Sequence, residues 1–388
     1  MKMRRWILLD LWVLSLAAIS CYGGAVSYGI FFGITLIPVV SLLYLGCAYL
    51  HLRVLQQIES RNTVCGEAVP YLFILKNDGF CLLAGVSVDM FSSFSTVEEL
   101  PGDREYELLP RDSRTFETKL TCKYRGEYEV GVKEIIMTDF FRLFRVRYRI
   151  PHGIKAKVLP KVTHVSELKG AADLSALIFQ ESMQNRTEPD IVVRDYIAGD
   201  AVKQIHWKAT AREGKPMVRS RVGEEKRGIA LVWDTCRVSD EQKEYLPLED
   251  KILETVLALG IFFAKKDIPF LAHYGVKGIA QEQVRGLPDF DRFYRNVSET
   301  VFDGDKNFAG TLREVIDSGA LKECRVLFGV LHEMNGEIVR ISEELDRAGV
   351  MSVFYVVTDR EPEEYIRQGS RRHRIIAIPV DGELEGRL

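Results

Sequence analysis

The segment from Arg194 to Arg221 concentrates residue types that recognise anions and proteins. It holds seven Lys or Arg against three Asp or Glu, in a chain whose formal net charge is −3. Arginine makes paired hydrogen bonds with carboxylates and phosphates, and tryptophan and arginine dominate the energetics of protein interfaces. One interpretation is therefore a docking or anion-binding surface around Trp207. Its candidate binding residues are Arg194, Tyr196, Gly199, Asp200, Lys203, Trp207, Lys208 and Arg212.

A structural interpretation of the same segment is the one we favour from the sequence. Trp207 would pack between domains as a buried brace, and Arg212 would tie the segment to the domain that follows. Burial predicts that Trp207→Ala lowers the free energy of unfolding by on the order of 3–5 kcal/mol. An exposed Trp207 would instead leave stability almost unchanged and weaken the binding of a partner.

The spacing of residues predicts a helix through this segment. Gly199-Asp200 is typical of a turn in which Asp200 caps the helix, and Gly214 is typical of its C-terminal stop. Three apolar residues would share one face of that helix, namely Val202, Ile205 and Ala209.

Catalytic chemistry has little support in the sequence. His206 has no nearby Ser or Cys nucleophile in a recognisable motif. The chain also has no Gly-x-x-x-x-Gly-Lys-Ser/Thr loop that would hold phosphates. We therefore predict no catalytic residue, with a cryptic hydrolase centred on His206 and Asp200 as an alternative.

The first fifty residues have the composition of a membrane hairpin. Residues 11–50 contain no Asp, Glu, Lys or Arg. As one helix they would measure about 60 Å, twice the roughly 30 Å apolar core of a bilayer, so two spans are predicted. We expect spans at Trp6–Cys21 and Ile30–Leu50, joined by a turn at Tyr22–Gly29.

Basic residues at the outer ends of the hairpin predict its orientation. Arg4 and Arg5 precede the first span and Arg53 follows the second, whereas the turn carries no charge. The positive-inside rule then places both termini and the soluble body in the cytoplasm, at the inner membrane. An alternative treats Met1–Cys21 as a signal peptide, and it too leaves the body cytoplasmic.

Residues 52–165 predict an all-β domain. Short alternating runs separated by turn signals extend from Val69 to Leu159, and Asn77-Asp78-Gly79 is typical of a hairpin turn. About six or seven strands over this length favour a sandwich of immunoglobulin or fibronectin-like type. Nothing catalytic is visible in it, so a spacer or docking module is expected.

Residues 227–388 predict alternating strands and helices, after a linking segment at 166–226. Ile229–Trp233 is a short apolar run followed by Asp234, and a continuous apolar run is typical of a buried parallel strand. Later strands are expected at 270–274, 326–331, 350–357 and 375–380, and the last helix at 362–368. This α/β pattern specifies a parallel sheet with helices on both faces. Ligands bind such sheets at the carboxyl ends of strands, which indicates Asp234 and the loops after Leu331 and Val357.

The overall composition excludes several classes of protein. Hydrophobic residues make up 47 % of the chain and charged residues 28 %, which is unlike a disordered or low-complexity chain. A mildly acidic body has no general attraction for nucleic acid. The seven cysteines show no Cys-x-x-Cys pair or zinc spacing, which suits reduced thiols.

The basic segment resembles the domain of unknown function (DUF) 58 family. The matching residues are Arg194, Tyr196, Gly199, Asp200, Ile205, Trp207, Thr210, Ala211 and Arg212. The segments 124–128 and 139–144 resemble further parts of the family, with Phe140 in place of the usual Pro and Arg142 in place of the usual Gly. The resemblance implies a two-helix transmembrane hairpin, a β-rich region and a von Willebrand factor type A-like, Rossmann-like α/β domain.

A von Willebrand type A-like domain would imply a Mg²⁺ site of the form Asp-x-Ser-x-Ser, completed by a Thr and an Asp from later loops. Asp234 and Thr311 remain as remnants of such a site, but Cys236 and Val238 stand at the serine positions. His332 stands where the later Asp is required. Because Mg²⁺ demands hard oxygen ligands, we expect weak or no Mg²⁺ binding and no cofactor.

The resemblance implies no settled reaction. Members are often encoded beside MoxR-type AAA+ ATPases and transglutaminase-like membrane proteins, which implies assembly or chaperone-like work with such a protein partner. We therefore expect a non-enzymatic, membrane-anchored adaptor or scaffold. The main alternative is a metal-dependent ligand-binding or adhesion protein.

Overall fold

The computed structural model divides the chain into two compact units, Met1–Leu159 and Pro160–Leu388. The residues it describes are 2–60, 62–98, 105–150, 153–168, 191–196, 205–221, 228–275, 279–303, 307–321, 324–359, 373–384 and 388. The mixed α and β architecture agrees with the predicted fold class at this level: apolar helices come first, and sheet-rich regions follow.

Two apolar helices open the first unit, α1 at Lys2–Tyr22 and α2 at Ala25–His51. Both are long and apolar enough to cross a membrane, which confirms the predicted pair of apolar helices. The turn between them is shorter than predicted, because only Gly23 and Gly24 separate the helices. Their φ values of 58° and 94° are readily adopted by glycine, so the second helix begins five residues before the predicted start at Ile30.

One face of the last three turns of α2 is covered by protein. Its buried residues are Ser41, Leu45 and Ala48. The Tyr44 hydroxyl donates a hydrogen bond to the Leu82 carbonyl and accepts one from the Ala84 N–H, each at 2.9 Å. The end of the predicted second span therefore packs on the following sheets.

After the two helices, the described residues of the first unit form three sheets. Their strands are β1 (Leu52–Ile58), β2 (Asn62–Val64), β3 (Ala68–Asn77), β4 (Leu83–Met90), β5 (Ser95–Val97), β6 (Tyr106–Leu108), β7 (Ser113–Cys122), β8 (Gly126–Val130), β9 (Val132–Thr138), β10 (Arg145–Arg149) and β11 (Ile154–Leu159). The sheet orders are β1-β3-β7-β5, β10-β9-β4-β6 and β2-β11-β8. An all-β region is confirmed, with more strands than predicted.

The predicted hairpin at Asn77-Asp78-Gly79 is wrong, because β3 and β4 lie in different sheets. The buried Asn77 amide explains the departure. Its Nδ2 donates to the carbonyls of Cys81 and Leu109, both at 2.9 Å, and its Oδ1 accepts from the Gly79 N–H at 3.0 Å. The side chain therefore fixes a connection between sheets where the sequence resembles a two-residue turn.

The second unit contains a six-stranded sheet with the order β16-β15-β14-β17-β18-β19. Its strands are β14 (Gly228–Trp233), β15 (Phe270–Gly275), β16 (Ile279–Val284), β17 (Cys324–Leu331), β18 (Met351–Val357) and β19 (His373–Ile378). Pairing is parallel except between β15 and β16. The parallel sheet is confirmed, and the antiparallel edge strand β16 was not predicted.

Helices cover both faces of this sheet, as predicted. They lie at Gln242–Lys265, Leu287–Ser298, Phe308–Asp317 and Gly336–Arg347. The first two pack with Trp233 and Phe328 in one apolar cluster, and the last two pack with Val232 and Leu327 in another. Alternate residues of β14 and β17 enter opposite clusters, which explains their continuous apolar sequence. The predicted helix at 362–368 lies outside the described residues.

The sheet reverses its strand order between β14 and β17. From β14 the chain proceeds to β15 and β16 on one side, and then to β17, β18 and β19 on the other. In open α/β sheets such a switch point leaves a crevice at the carboxyl ends of the two strands. Asp234 follows β14 and His332 follows β17 at this position.

Candidate docking surface

The structure describes five of the eight candidate binding residues. Arg194 lies in β12 (Ile191–Asp195), Tyr196 follows that strand, and a seven-residue helix, α3 (Trp207–Glu213), carries Trp207, Lys208 and Arg212. The other three candidates, Gly199, Asp200 and Lys203, lie outside the described residues.

A small β ladder supports the helix. β12 pairs antiparallel with β13 (Met217–Arg221), and Ile205 makes a bridge to the fully buried Val218. The prediction that Ile205 belongs to the helix is therefore wrong, since its backbone is engaged with a strand. The ladder was not predicted, because its strands are short and rich in arginine.

Local hydrogen bonds fix both ends of α3. The N-cap is His206, whose Nδ1 accepts a hydrogen bond from the Ala209 N–H at 3.1 Å. The predicted cap, Asp200, lies outside the described residues. The predicted stop at Gly214 is confirmed, with a left-handed φ of 65° that suits glycine. Because Nδ1 serves as the cap, the position of His206 has a structural explanation.

The expected burial of Trp207 is wrong. Its side chain is 68 % exposed, at the first position of α3, and Tyr196 is 37 % exposed. A buried brace would exclude most solvent from the indole. The explanation lies in the start of the helix: His206 is the cap, and the residue that pairs with the ladder, by a backbone bridge to Val218, is Ile205. Trp207 is thereby left on the solvent side.

Two exposed cations accompany Trp207 on α3. Lys208 and Arg212 are four residues apart and therefore share a face of the helix. Neither makes a hydrogen bond or ion pair with a described residue, so the expected tie from Arg212 to the α/β domain is not seen there. By contrast, Lys215 pairs with Asp195 at 2.7 Å, and this contact raises the pKa of the lysine. We define the Trp207 surface as the exposed side chains of Trp207, Lys208 and Arg212.

The switch point of the six-stranded sheet holds a second group of polar residues. Asp234 is 1 % exposed, and its Oδ2 lies 2.5 Å from Nδ1 of His332. Its Oδ1 accepts a hydrogen bond from the Cys236 N–H at 2.9 Å. Although burial lowers the pKa of His332, the Asp234 carboxylate outweighs it and raises that pKa above its ordinary value. The pair is therefore a buried carboxylate in contact with a partly buried imidazole, and the contact favours the protonated form of that imidazole.

Sequence analysis missed this pair, although it identified both loops. The signal was available in the topology: Asp234 and His332 follow the two strands on either side of the switch point. From the sequence, His332 was considered only as the residue at the position of an expected Asp ligand, and its imidazole provides no ligand oxygen.

The residues at this edge do not fit the implied Mg²⁺ site. Oδ2 of Asp234 is in contact with His332, and Val238 is 51 % exposed. Burial raises the pKa of the Cys236 thiol, and Asp234 adds to the shift, which disfavours a thiolate ligand. Arg237 is turned to Glu249, with Nε and Oε1 3.0 Å apart. Within the described ranges, no group of three or more His, Cys, Asp or Glu side chains is arranged to hold a metal.

Thr311 and Thr235 converge on the end of β15. The Thr235 hydroxyl donates to the Gly275 carbonyl, and a Cβ added at Gly275 would lie 3.1 Å from Oγ1 of Thr311. Both threonines are buried. The remnant Thr311 therefore helps to close this edge of the sheet.

The family described as "Protein of unknown function DUF58" matches residues 192–264. The matched stretch contains the Trp207 surface and the strand β14, which is followed by Asp234. No curated protein matches the chain.

The solved structures with some likeness to the chain are remote. One is the cupredoxin domain of amoB from Nitrosocaldus yellowstonii, with 7 % identity over 28 % of this chain and 86 % of that chain, and a TM-score of 0.21. Another is an inactive mutant of a GH20 exo-β-N-acetylglucosaminidase from Vibrio harveyi, with 9 % identity, 85 % and 82 % coverage, and a TM-score of 0.19. A β-glucuronidase from Bacteroides uniformis has 10 % identity, 78 % and 36 % coverage, and a TM-score of 0.15. TM-scores this low indicate neither a shared fold nor a shared function.

Proposed function

We propose that this chain is a membrane-anchored adaptor that presents the Trp207 surface to a protein partner. The observation that supports it best is the 68 % exposure of Trp207 on a helix whose two ends are fixed by hydrogen bonds. An exposed tryptophan loses little conformational freedom on binding and buries a large apolar area, which is why tryptophan is enriched at binding hot spots.

The exposed cations of the same helix indicate the chemistry of the partner. Lys208 and Arg212 carry no carboxylate partner among the described residues, so a complementary surface is acidic and has an apolar pocket for the indole. The partner proposed is a MoxR-type AAA+ ATPase, with a transglutaminase-like membrane protein as the second choice. This identification rests on the DUF 58 resemblance.

The finer architecture belongs to the same proposal. The apolar helices α1 and α2 would anchor the chain in the inner membrane, with both units in the cytoplasm. The sheets of the first unit would form an immunoglobulin or fibronectin-like sandwich. The second unit would be a von Willebrand factor type A-like domain, which the antiparallel edge strand β16 and the reversal of strand order support.

Trp207→Ala tests the docking role directly. The full chain in detergent micelles would be titrated with the purified MoxR-type ATPase from the same source. We expect affinity to fall by at least about 2 kcal/mol, which is more than tenfold, with an unchanged melting temperature because little contact is lost inside the protein.

A matched control separates docking from a general loss of exposed aromatic surface. Phe80 is 76 % exposed in the first unit, so Phe80→Ala removes a comparable ring elsewhere. It should leave affinity unchanged. A large drop in melting temperature for Trp207→Ala, or equal losses of affinity for both variants, contradicts the proposal.

A further inference from the structure

An apolar groove of about 380 Å³ opens between the two apolar helices and the loop that follows β9. Its walls are formed by side chains of α1, α2 and residues 143–144. The apolar residues that line it include Leu8, Leu9, Trp12, Ile34, Pro38 and Phe144.

The polar atoms inside the groove are already paired. Trp12 Nε1 donates to Oγ1 of Thr35 at 3.0 Å, and that hydroxyl donates to the Phe31 carbonyl at 2.7 Å. An apolar cavity whose few polar groups are satisfied offers nothing to water and suits a hydrocarbon chain.

The mouth of the groove is cationic. Nε of Arg5 donates to the Leu143 carbonyl at 2.6 Å, and the guanidinium lies 5.6 Å from the centre of the Phe144 ring. These contacts hold Arg5 in place and leave its two terminal nitrogens without a hydrogen bond to a described residue. Arg4 donates to the Phe141 carbonyl at 3.4 Å, and Lys2 is exposed nearby on the first turn of α1.

No protein carboxylate neutralises this mouth among the described residues. Lys2, Arg4 and Arg5 make no ion pair there. The carboxylate of the adjoining loop, Asp139, is 2 % exposed and accepts the N–H groups of Phe141 and Phe144, at 3.2 and 2.7 Å. The uncompensated charge is thus complementary to an anion.

The adjoining loop has the features of a membrane-surface element. Phe140 and Phe141 are 55 % and 52 % exposed, and the Phe140 ring lies 4.6 Å from that of Tyr44 on α2. Tyrosine and tryptophan are enriched at the interface between lipid and water, where their rings lie at the level of the headgroups. Arg142 has a φ of 56°, a conformation that glycine adopts more cheaply, and its guanidinium pairs with Glu105, with Nη2 and Oε2 2.6 Å apart.

We propose that the groove binds an acyl chain of an anionic glycerophospholipid, whose phosphate is held by the terminal nitrogens of Arg5 with Arg4 and Lys2 beside it. The inference rests on the proposed membrane insertion of α1 and α2. The two terminal nitrogens of a planar guanidinium can donate paired hydrogen bonds to one phosphate. A zwitterionic headgroup also offers a phosphate, but its own positive charge competes with the guanidinium. Bound lipid would then fasten residues 139–144 to the membrane.

Native mass spectrometry of the full chain in detergent tests this inference. Dioleoyl phosphatidylglycerol and dioleoyl phosphatidylcholine would be titrated separately into the wild type and Arg5→Gln. We expect the wild type to prefer phosphatidylglycerol at least tenfold, and Arg5→Gln to bind both lipids alike with an unchanged melting temperature. Arg5→Lys, which keeps the charge and loses the paired geometry, should lie between them.

Two controls locate the site. Arg114→Gln makes the same charge change at an exposed position of β7, which lines no part of the groove, and should keep the preference. Phosphatidylglycerol with brominated acyl chains should quench the fluorescence of Trp12, because the bromine would lie beside that indole. In Trp12→Phe this part of the quenching should disappear.

Three results would overturn the inference: no preference in the wild type, equal loss in Arg114→Gln and Arg5→Gln, or displacement of the lipid by free glycerol 3-phosphate. Extraction of membranes with alkaline carbonate separates this failure from failure of the anchor. A chain that carbonate releases contradicts the proposed membrane anchor. A chain that stays in the membrane but binds both lipids alike contradicts the lipid site alone.

Discussion

At the scale of single residues, two histidines of the second unit, the partly buried His332 and the buried His273, have opposite electrostatic surroundings. His332 lies 2.5 Å from the buried Asp234 carboxylate, which raises its pKa despite burial. His273 is 1 % exposed and neither ring nitrogen has a hydrogen-bond partner among the described residues, and burial lowers its pKa to about 4. Stability should therefore respond to pH in opposite directions at the two sites.

His332→Ala should destabilise the second unit by about 3 kcal/mol or more, because it leaves the Asp234 carboxylate buried without its partner. The folded pKa is raised, so the contribution of His332 is fully present below the unfolded value of about 6.5 and declines as pH rises through the folded value. Urea unfolding of wild type and variant between pH 6 and pH 9 measures the difference.

The control for that experiment is Asp234→Asn, which removes the charge that holds the proton on His332. In this background the pH dependence due to His332 should disappear. A difference between wild type and His332→Ala that stays constant from pH 6 to pH 9 would show that the imidazole does not titrate against Asp234.

His273 should produce the opposite trend. Its folded pKa of about 4 lies below the unfolded value near 6.5, so the unfolded chain binds the proton more readily. Between pH 7.5 and pH 5 this costs the wild type about 2 kcal/mol of stability. His273→Phe, which fills the same buried position without a titrating group, should lose that part of the acid sensitivity in parallel urea titrations. Equal acid sensitivity of the two proteins would count against it.

At the scale of secondary-structure elements, the sequence predicted the elements whose buried faces produce a clear apolar pattern. The apolar run Ile229–Trp233 became a central strand because both of its faces are covered. β16 was missed because an edge strand with one polar face, Ile279–Val284, lacks such a run. The helix before Gly214 was placed too early, since a 3.6-residue spacing does not show where a strand bridge ends and a helix begins.

Only part of the candidate site could be predicted from the sequence, for the same physical reason. Residue types identified Trp207 and its cations, but its exposure depends on which face of α3 the β12–β13 ladder covers. Likewise, Asp234 was identified by its position after a strand, whereas its contact with His332 requires knowledge of the strand order.

The contact between α2 and the sheets can be trapped by chemistry already in the chain. Cys47 lies near the end of α2 and Cys81 just before β4, with their sulfurs 3.6 Å apart. A disulfide needs only a small further approach, to about 2 Å. Oxidation with diamide should therefore join them, and counting alkylated thiols after unfolding should show five in place of the seven free cysteines.

Cys81→Ser provides the matched control for this crosslink. It removes one partner and should leave all six remaining thiols available after the same treatment. If the wild type also keeps every thiol, then α2 does not pack on the sheets as described here.

At the scale of the whole molecule, the hairpin decides on which side of a membrane everything else lies. α1 and α2 are joined by only Gly23 and Gly24, so their outer ends emerge on the same side if the hairpin spans a bilayer. Arg4 and Arg5 at one outer end and Arg53 at the other are basic, and the turn has no charge. The first unit continues directly from α2 into β1, so it must lie on that side too.

We therefore predict that both termini are cytoplasmic, since basic residues that flank apolar spans are retained on that side. Protease added to intact spheroplasts should spare the soluble units, and the same protease should degrade them after lysis. A reporter that is active only in the cytoplasm should be active when fused after Leu388, and a reporter that is active only outside the cytoplasm should be inactive there. A matched fusion in the turn, between Gly23 and Gly24, should give the opposite result. A carboxyl terminus accessible from outside would contradict the orientation, and with it the adaptor proposal, because the Trp207 surface would then face away from any cytoplasmic ATPase.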